Sequence, residues 1–111
     1  MSPLPDIKGP DRKKPLCYDP ERRKFIYFDE LIAKTEKIIP LERLSHEQLK
    51  KLIVERYRAG PDFTMQVLSG AKYTRNDLIK EIRKQTDIGK MTMEAEKSYL
   101  SELLEQIKES L

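Results

Sequence analysis

One histidine and one cysteine are the only residues of their kinds in this sequence, which leaves little material for covalent chemistry. Nucleophilic catalysis would need His46 within hydrogen-bond reach of the Cys17 sulfur, where it could take the thiol proton. The two fall in different predicted elements, and a cysteine beside Tyr18 reads as a small packed hydrophobe. His46 stands one residue past a predicted helix start, where it is expected to be exposed. A positive charge there would oppose the helix dipole, so a proton switch is not expected. A metal centre needs three or four converging ligands, and only an all-carboxylate site would remain. The Asp/Asn alternation and loop glycine of a calcium-binding hand are missing.

Phosphate-cradling loops cluster their glycines, whereas Gly9, Gly60, Gly70 and Gly89 are scattered and read as turns or helix stops. Acid pairs such as Glu94/Glu96 and Glu102/Glu105 lie on a predicted exposed helix face, where solvation explains them. No catalytic residue, cofactor or small-molecule substrate is expected.

Cations offer a better case. Arg12, Lys13 and Lys14, with Arg22, Arg23 and Lys24, flank Tyr18 and lead into Phe25 and Tyr27. Cations that neutralise phosphates beside aromatics that stack on bases would make a single-strand nucleic-acid surface. A helix-turn-helix over roughly 63–85 is disfavoured. With Gly70 as its turn glycine, Gln66 stands where a small residue belongs and Asn76 where an apolar one does.

The elements that must position these groups are mostly helical. Within 111 residues, 37% are charged and 38% hydrophobic, and the net charge is +3. Against an average charged share of about 25%, this predicts a thin core with solvated faces. The charge is uneven: residues 1–24 hold seven Lys/Arg against four Asp/Glu, and residues 91–111 hold two against five. Two readings follow: the acidic helix packs near basic neighbours or lies solvated, or a basic surface serves an anionic partner while the acidic helix faces elsewhere. The lone thiol suits a reducing compartment. No apolar run has the length of a membrane span or of a signal-peptide core. A cytoplasmic protein is expected.

Five of the seven prolines lie in residues 1–20, which predicts a proline-rich N-terminal arm ahead of a single helical domain over 21–111. Residues 15–28 admit two readings. Leu16–Tyr18 and Phe25–Phe28 can pair as a hairpin across an Asp-Pro turn. Alternatively, Asp19 can cap a helix with Pro20 at its first position. In either case a helix is predicted over 29–38, stopping before Pro40.

The centre of the chain is more explicit. Ser45 and Gln48 form a predicted capping box, and Leu44 and Leu49 a hydrophobic staple. Leu49, Leu52, Ile53 and Tyr57 make an apolar stripe, with Lys50, Lys51, Glu55, Arg56 and Arg58 mostly outside it. Gly60-Pro61 is the stop. A short helix capped by Asp62 is predicted next, with Phe63, Val67 and Leu68 inward and Ser69-Gly70 at its end. Thr74 and Asp77 repeat the box, Tyr73 and Leu78 repeat the staple, and Gly89 breaks the helix that follows. From about Met91 a last amphipathic helix carries Met93, Leu100, Leu103, Leu104, Ile107 and Leu111.

The fold expected is thus mainly α: a small bundle of three to four helices, a proline-rich arm and a hairpin at 15–28 as one of its two readings. The function expected is that of a non-catalytic adaptor or regulatory protein, binding another protein or itself as a homodimer. Leu100, Leu103, Leu104, Ile107 and Leu111 are the predicted interface. Nucleic-acid binding through Arg12, Lys13, Lys14, Tyr18, Arg22, Arg23 and Lys24 is the alternative.

Overall fold

Each helix start in the middle of the chain is fixed by its own side chains. The computed structural model describes residues 10–111. Ser45 Oγ accepts the Gln48 amide at 3.2 Å, while Gln48 Oε1 accepts the Ser45 amide at 2.9 Å. Two donors that a helix start leaves orphaned are thereby satisfied. This box opens α3, His46–Ala59. Thr74 and Asp77 build the same box at 3.1 and 2.9 Å and open α4, Arg75–Lys84. The two helices begin as the sequence predicts.

Ahead of them lie a short helix α1 at Pro10–Lys13, then strands β1 at Pro15–Asp19 and β2 at Lys24–Tyr27, which pair antiparallel. The hairpin reading of residues 15–28 is the one adopted. Asp19 closes its turn by accepting from the Glu21 and Arg22 amides at 3.0 and 3.3 Å, an Asx turn. The expected proline-rich arm lies outside the described residues as far as residue 9. From Pro15 onward the chain is strand, with Leu16 and Cys17 wholly buried.

The helix predicted over 29–38 is only α2, Phe28–Ile32. Lys34 turns left-handed at φ +58°, and residues 33–40 run on without regular structure until a single 3-10 turn at Leu41–Arg43. Ile38 and Ile39 still pack on the core, though not as one face of a helix.

A larger departure follows α3. The stretch predicted as a short helix is a second hairpin, β3 Thr64–Gln66 with β4 Lys72–Thr74. Its loop is Leu68-Ser69-Gly70, closed by the Gly70 amide on Val67 O at 2.9 Å and the Val67 amide on Ala71 O at 3.0 Å. Gly70 has φ +91°, the left-handed residue that ends a three-residue hairpin loop. Leu68, expected inward, stands fully exposed at the tip. Asp62 caps no helix and instead meets Arg75 at 3.1 Å.

The last helix, α5, is Asp87–Ser110 and starts four residues before Met91. Thr86 Oγ1 accepts the Gly89 amide at 3.1 Å, so Gly89 sits inside the first turn rather than breaking a helix. It is glycine because α4 passes against it: a Cβ here would lie 2.0 Å from Glu81 O. Gln85, left-handed at φ 55°, makes the corner and folds its amide back on Ile82 O at 2.6 Å.

The result is mainly α with two small hairpins. Leu52, Ile53, Ile82, Leu100 and Ile107 form one core with Leu16 and Ile26 of the first hairpin. Among the described residues no helix is long and apolar enough to cross a membrane. Gly89→Ala tests the α4–α5 corner. Alanine is intrinsically the better helix former by about 1 kcal/mol, yet overpacking should outweigh it and destabilise the chain by about 1–3 kcal/mol in urea unfolding. A gain in stability would show that the two backbones do not approach so closely.

Candidate functional site

Helix α3 has two working faces. On the inner face, Arg56 is 1% exposed, which makes it the one buried charged residue among those described. It was expected outside the apolar stripe, yet it falls seven residues after Leu49, four after Leu52 and three after Ile53, and so belongs on it. Its Nε donates to Glu96 of α5 at 2.8 Å, one terminal nitrogen donates to Pro15 O at 2.8 Å, and the guanidinium lies 5.9 Å from the Tyr99 ring centroid. A buried charge is tolerated only with such partners. Arg56 thereby ties α3 to β1 and α5.

The outer face borders a cleft of about 590 Å³. From α3 it takes Glu47, Gln48, Lys50, Lys51, Val54, Glu55 and Arg58; Tyr18, Arg23 and Phe25 come from the first hairpin and Arg83 from α4. Tyr18 and Phe25 stack at 5.2 Å between centroids, tilted by 54°. Lys51 Nζ lies 5.3 Å from the Tyr18 centroid, within the range of a cation–π contact. Five cations against two carboxylates line this cleft. Lys50 meets Glu47 at 3.0 Å and Arg58 meets Glu55 loosely at 3.9 Å. Among the described residues, Arg23, Lys51 and Arg83 have no carboxylate partner. Arg23 holds φ +53°, a left-handed conformation costing an L-residue about 1–2 kcal/mol.

The predicted nucleic-acid residues are dispersed by this arrangement. Tyr18 and Arg23 line the cleft, although Tyr18 is only 3% exposed. Arg12 pairs with Asp29 at 2.8 Å and lies 5.4 Å from the Phe28 centroid. Lys13 is exposed, and the Lys14 side chain lies against Gly60. Arg22 bridges Asp19 and Glu36, and Lys24 reaches Glu30 and Glu36 at 2.7 Å each. Arg22 and Lys24 therefore hold the loop after α2 onto the hairpin. The cleft cations on α3 and α4 lie outside the basic runs at 12–14 and 22–24. Their signal was the spacing of Glu47, Lys51, Val54 and Arg58 at three and four residues along one helix face.

The predicted interface on the last helix is largely inside the molecule. Leu100 and Ile107 are fully buried, Leu104 is 5% and Leu103 7% exposed, and only Leu111 is substantially open, at 49%. That stripe packs against the chain's own core, which leaves a second chain little of it to touch.

Cys17 is wholly buried in β1, whereas His46 is exposed at the start of α3. Burial pushes the Cys17 thiol up to about 11; the Ile39 amide on the sulfur draws it partly back, and Glu30, Glu36 and Asp19 raise it further. A nucleophile needs the thiolate. His46 Nε2 lies 3.0 Å from Gln85 Oε1, tying the start of α3 to the α4 corner. Among the described residues no three His, Cys, Asp or Glu side chains converge as a metal site.

The Glu36 carboxyl is held down at about 2 by hydrogen bonds from Arg22 first and Lys24 second. Its folded pKa lies below the usual 4.5, so its contribution to stability is complete above 4.5 and is lost as pH falls toward about 2. Urea midpoints should therefore drop across that window, and Glu36→Gln should flatten the slope. An unchanged slope in the variant would show that the Arg22–Glu36–Lys24 network does not act as described.

No protein-family model, curated protein or solved structure matches the chain.

Proposed function

We propose that the protein is a non-catalytic adaptor whose working surface is the α3 cleft, and that it binds an acidic segment of a partner protein there. The observation that carries this reading is that Arg23, Lys51 and Arg83, cations without a carboxylate partner among the described residues, line a cleft whose floor includes Phe25 and Val54. An acidic segment with an apolar anchor complements such a surface in both charge and shape. Arg23 adds a second reason: an arginine kept at a left-handed position, where glycine would relieve strain, fits a side chain retained for contact. In the same reading the packed α3, α4 and α5 form a bundle that serves as a rigid scaffold, and the lone free thiol supports a cytoplasmic location.

Single-stranded nucleic acid is the other anion to consider. Stacking requires open aromatic faces, and here Tyr18 is buried beneath Lys51 while Phe25 is half-buried. Protein is therefore the favoured partner.

Fluorescence anisotropy with a labelled Glu/Leu-repeat peptide and a labelled oligo-dT tests the choice. The peptide should bind and weaken as salt rises, and Lys51→Glu should weaken it about tenfold or more by placing like charge in the cleft. Arg23→Gly should weaken binding too, while raising stability by about 1 kcal/mol through relief of the left-handed strain. Oligo-dT binding without peptide binding, with a log–log salt slope near −2 for about three phosphates, would favour the nucleic-acid reading. Binding of neither probe would remove the cleft as a site.

A further inference from the structure

We infer that the acidic partner is a second copy of this chain, whose α5 lays its outward face in the α3 cleft; the inference rests on the cleft being a docking site for acidic segments. Helix α5 carries more acids than cations on its outward side, where Lys108 is exposed beside Glu105 and Glu109. Glu96 turns inward to Arg56. Glu94, Glu102, Glu105 and Glu109 are all exposed, and their spacing of eight, three and four residues puts them along one side of the helix. Among the described residues no ion pair engages any of the four. Leu100 and Ile107, fully buried, fix the opposite side against the core. The helix therefore cannot rotate its acids toward its own cleft without unpacking. Each copy carries an acidic face with no ion pair among the described residues and a cleft in which five cations outnumber two carboxylates.

The two surfaces also match in spacing. Lys51 and Arg58 on the cleft are seven residues apart, as are Glu102 and Glu109 on α5. At a rise of about 1.5 Å per residue both pairs are separated by about 10.5 Å along their helices, so α5 of one copy set alongside α3 of the other brings both pairs into register. Arg23 and Arg83 border the same cleft and supply further positive charge. Every copy offers both surfaces, so two copies can exchange both contacts about a two-fold axis and close the assembly.

Sedimentation equilibrium of the full chain tests this against two double reversals, Lys51→Glu/Arg58→Glu and Glu102→Lys/Glu109→Lys. All four positions are exposed, and circular dichroism checks that both variants stay folded. The wild type should associate at about 0.1 M salt and dissociate toward monomer at about 1 M, where the Debye length falls from about 10 to about 3 Å. Each variant alone should associate at least about tenfold more weakly. An equal mixture of the two should recover association, since each reversed surface then meets its opposite. A wild-type monomer that still binds the Glu/Leu-repeat peptide would overturn the second-copy inference and leave the cleft reading standing. A monomer that binds no peptide would overturn both. Association that persists equally in both variants would place the contact elsewhere and overturn the inference.

Discussion

A single guanidinium, that of Arg56, joins three segments that are far apart in sequence. It is 1% exposed and reaches Pro15 O in β1 and Glu96 in α5, each at 2.8 Å. Removing a charge from water is costly, and the cost is offset only when its donors are matched in geometry. That requirement constrains the chain in three places at once. Strand β1 must present a carbonyl to α3, α5 must turn Glu96 inward, and the rotation of α3 about its axis is set by the need to bury residue 56. With the rotation fixed, Lys51, Val54 and Arg58 border the cleft. The proposed surface follows from the way the core is pinned.

The cations of the chain accordingly fall into groups with different work. Arg56 holds the interior. Arg22 and Lys24, by way of Glu36, fasten the loop after α2 to the first hairpin. Arg12 is occupied by Asp29 and the Phe28 ring. Arg23, Lys51 and Arg83 border the cleft with no carboxylate partner among the described residues. Exposed ion pairs contribute about 0–1 kcal/mol each, so loose contacts such as Arg58–Glu55 at 3.9 Å would leave that arginine largely available to a partner. The net charge of the chain hides this division, because a basic count does not distinguish a guanidinium that holds the fold from one that can meet another molecule.

Local chemistry made the two central helices legible in the sequence. Ser45/Gln48 and Thr74/Asp77 are short-range devices that act within one turn, and both formed as predicted. The first hairpin is only one of two readings the sequence admits, because Asp19 can cap a helix as well as close the turn it makes with the Glu21 and Arg22 amides. Long-range interactions account for two of the departures. Gly89 was read as a helix breaker because its reason for being glycine lies at Glu81 on another helix. Helix α2 is short because Glu36 is drawn back to Arg22 and Lys24, a pairing across the hairpin that spacing along the chain does not reveal. The Phe63–Leu68 stretch carries a helix-capping residue in Asp62, but the decisive feature is local: a left-handed Gly70 closes a three-residue loop. Arg56 shows how one residue type can mislead: its position was on the apolar stripe, but its charge suggested the surface. The candidate cleft does not show as a basic run, because its cations are spaced along one face of α3 and come also from the first hairpin and α4.

Two residues five positions apart on α3 separate the interior role from the surface role. Equilibrium unfolding of Arg56→Met beside Lys51→Met tests the division most directly. Arg56→Met should lose about 2–4 kcal/mol, short of the upper end for a broken buried pair because Glu96 keeps some contact with water. Lys51→Met should stay within about 0.5 kcal/mol of the parent, as exposed substitutions usually do. Equal stability of the two variants would contradict the account, for then Arg56 would not be what fixes α3 and the cleft beside it.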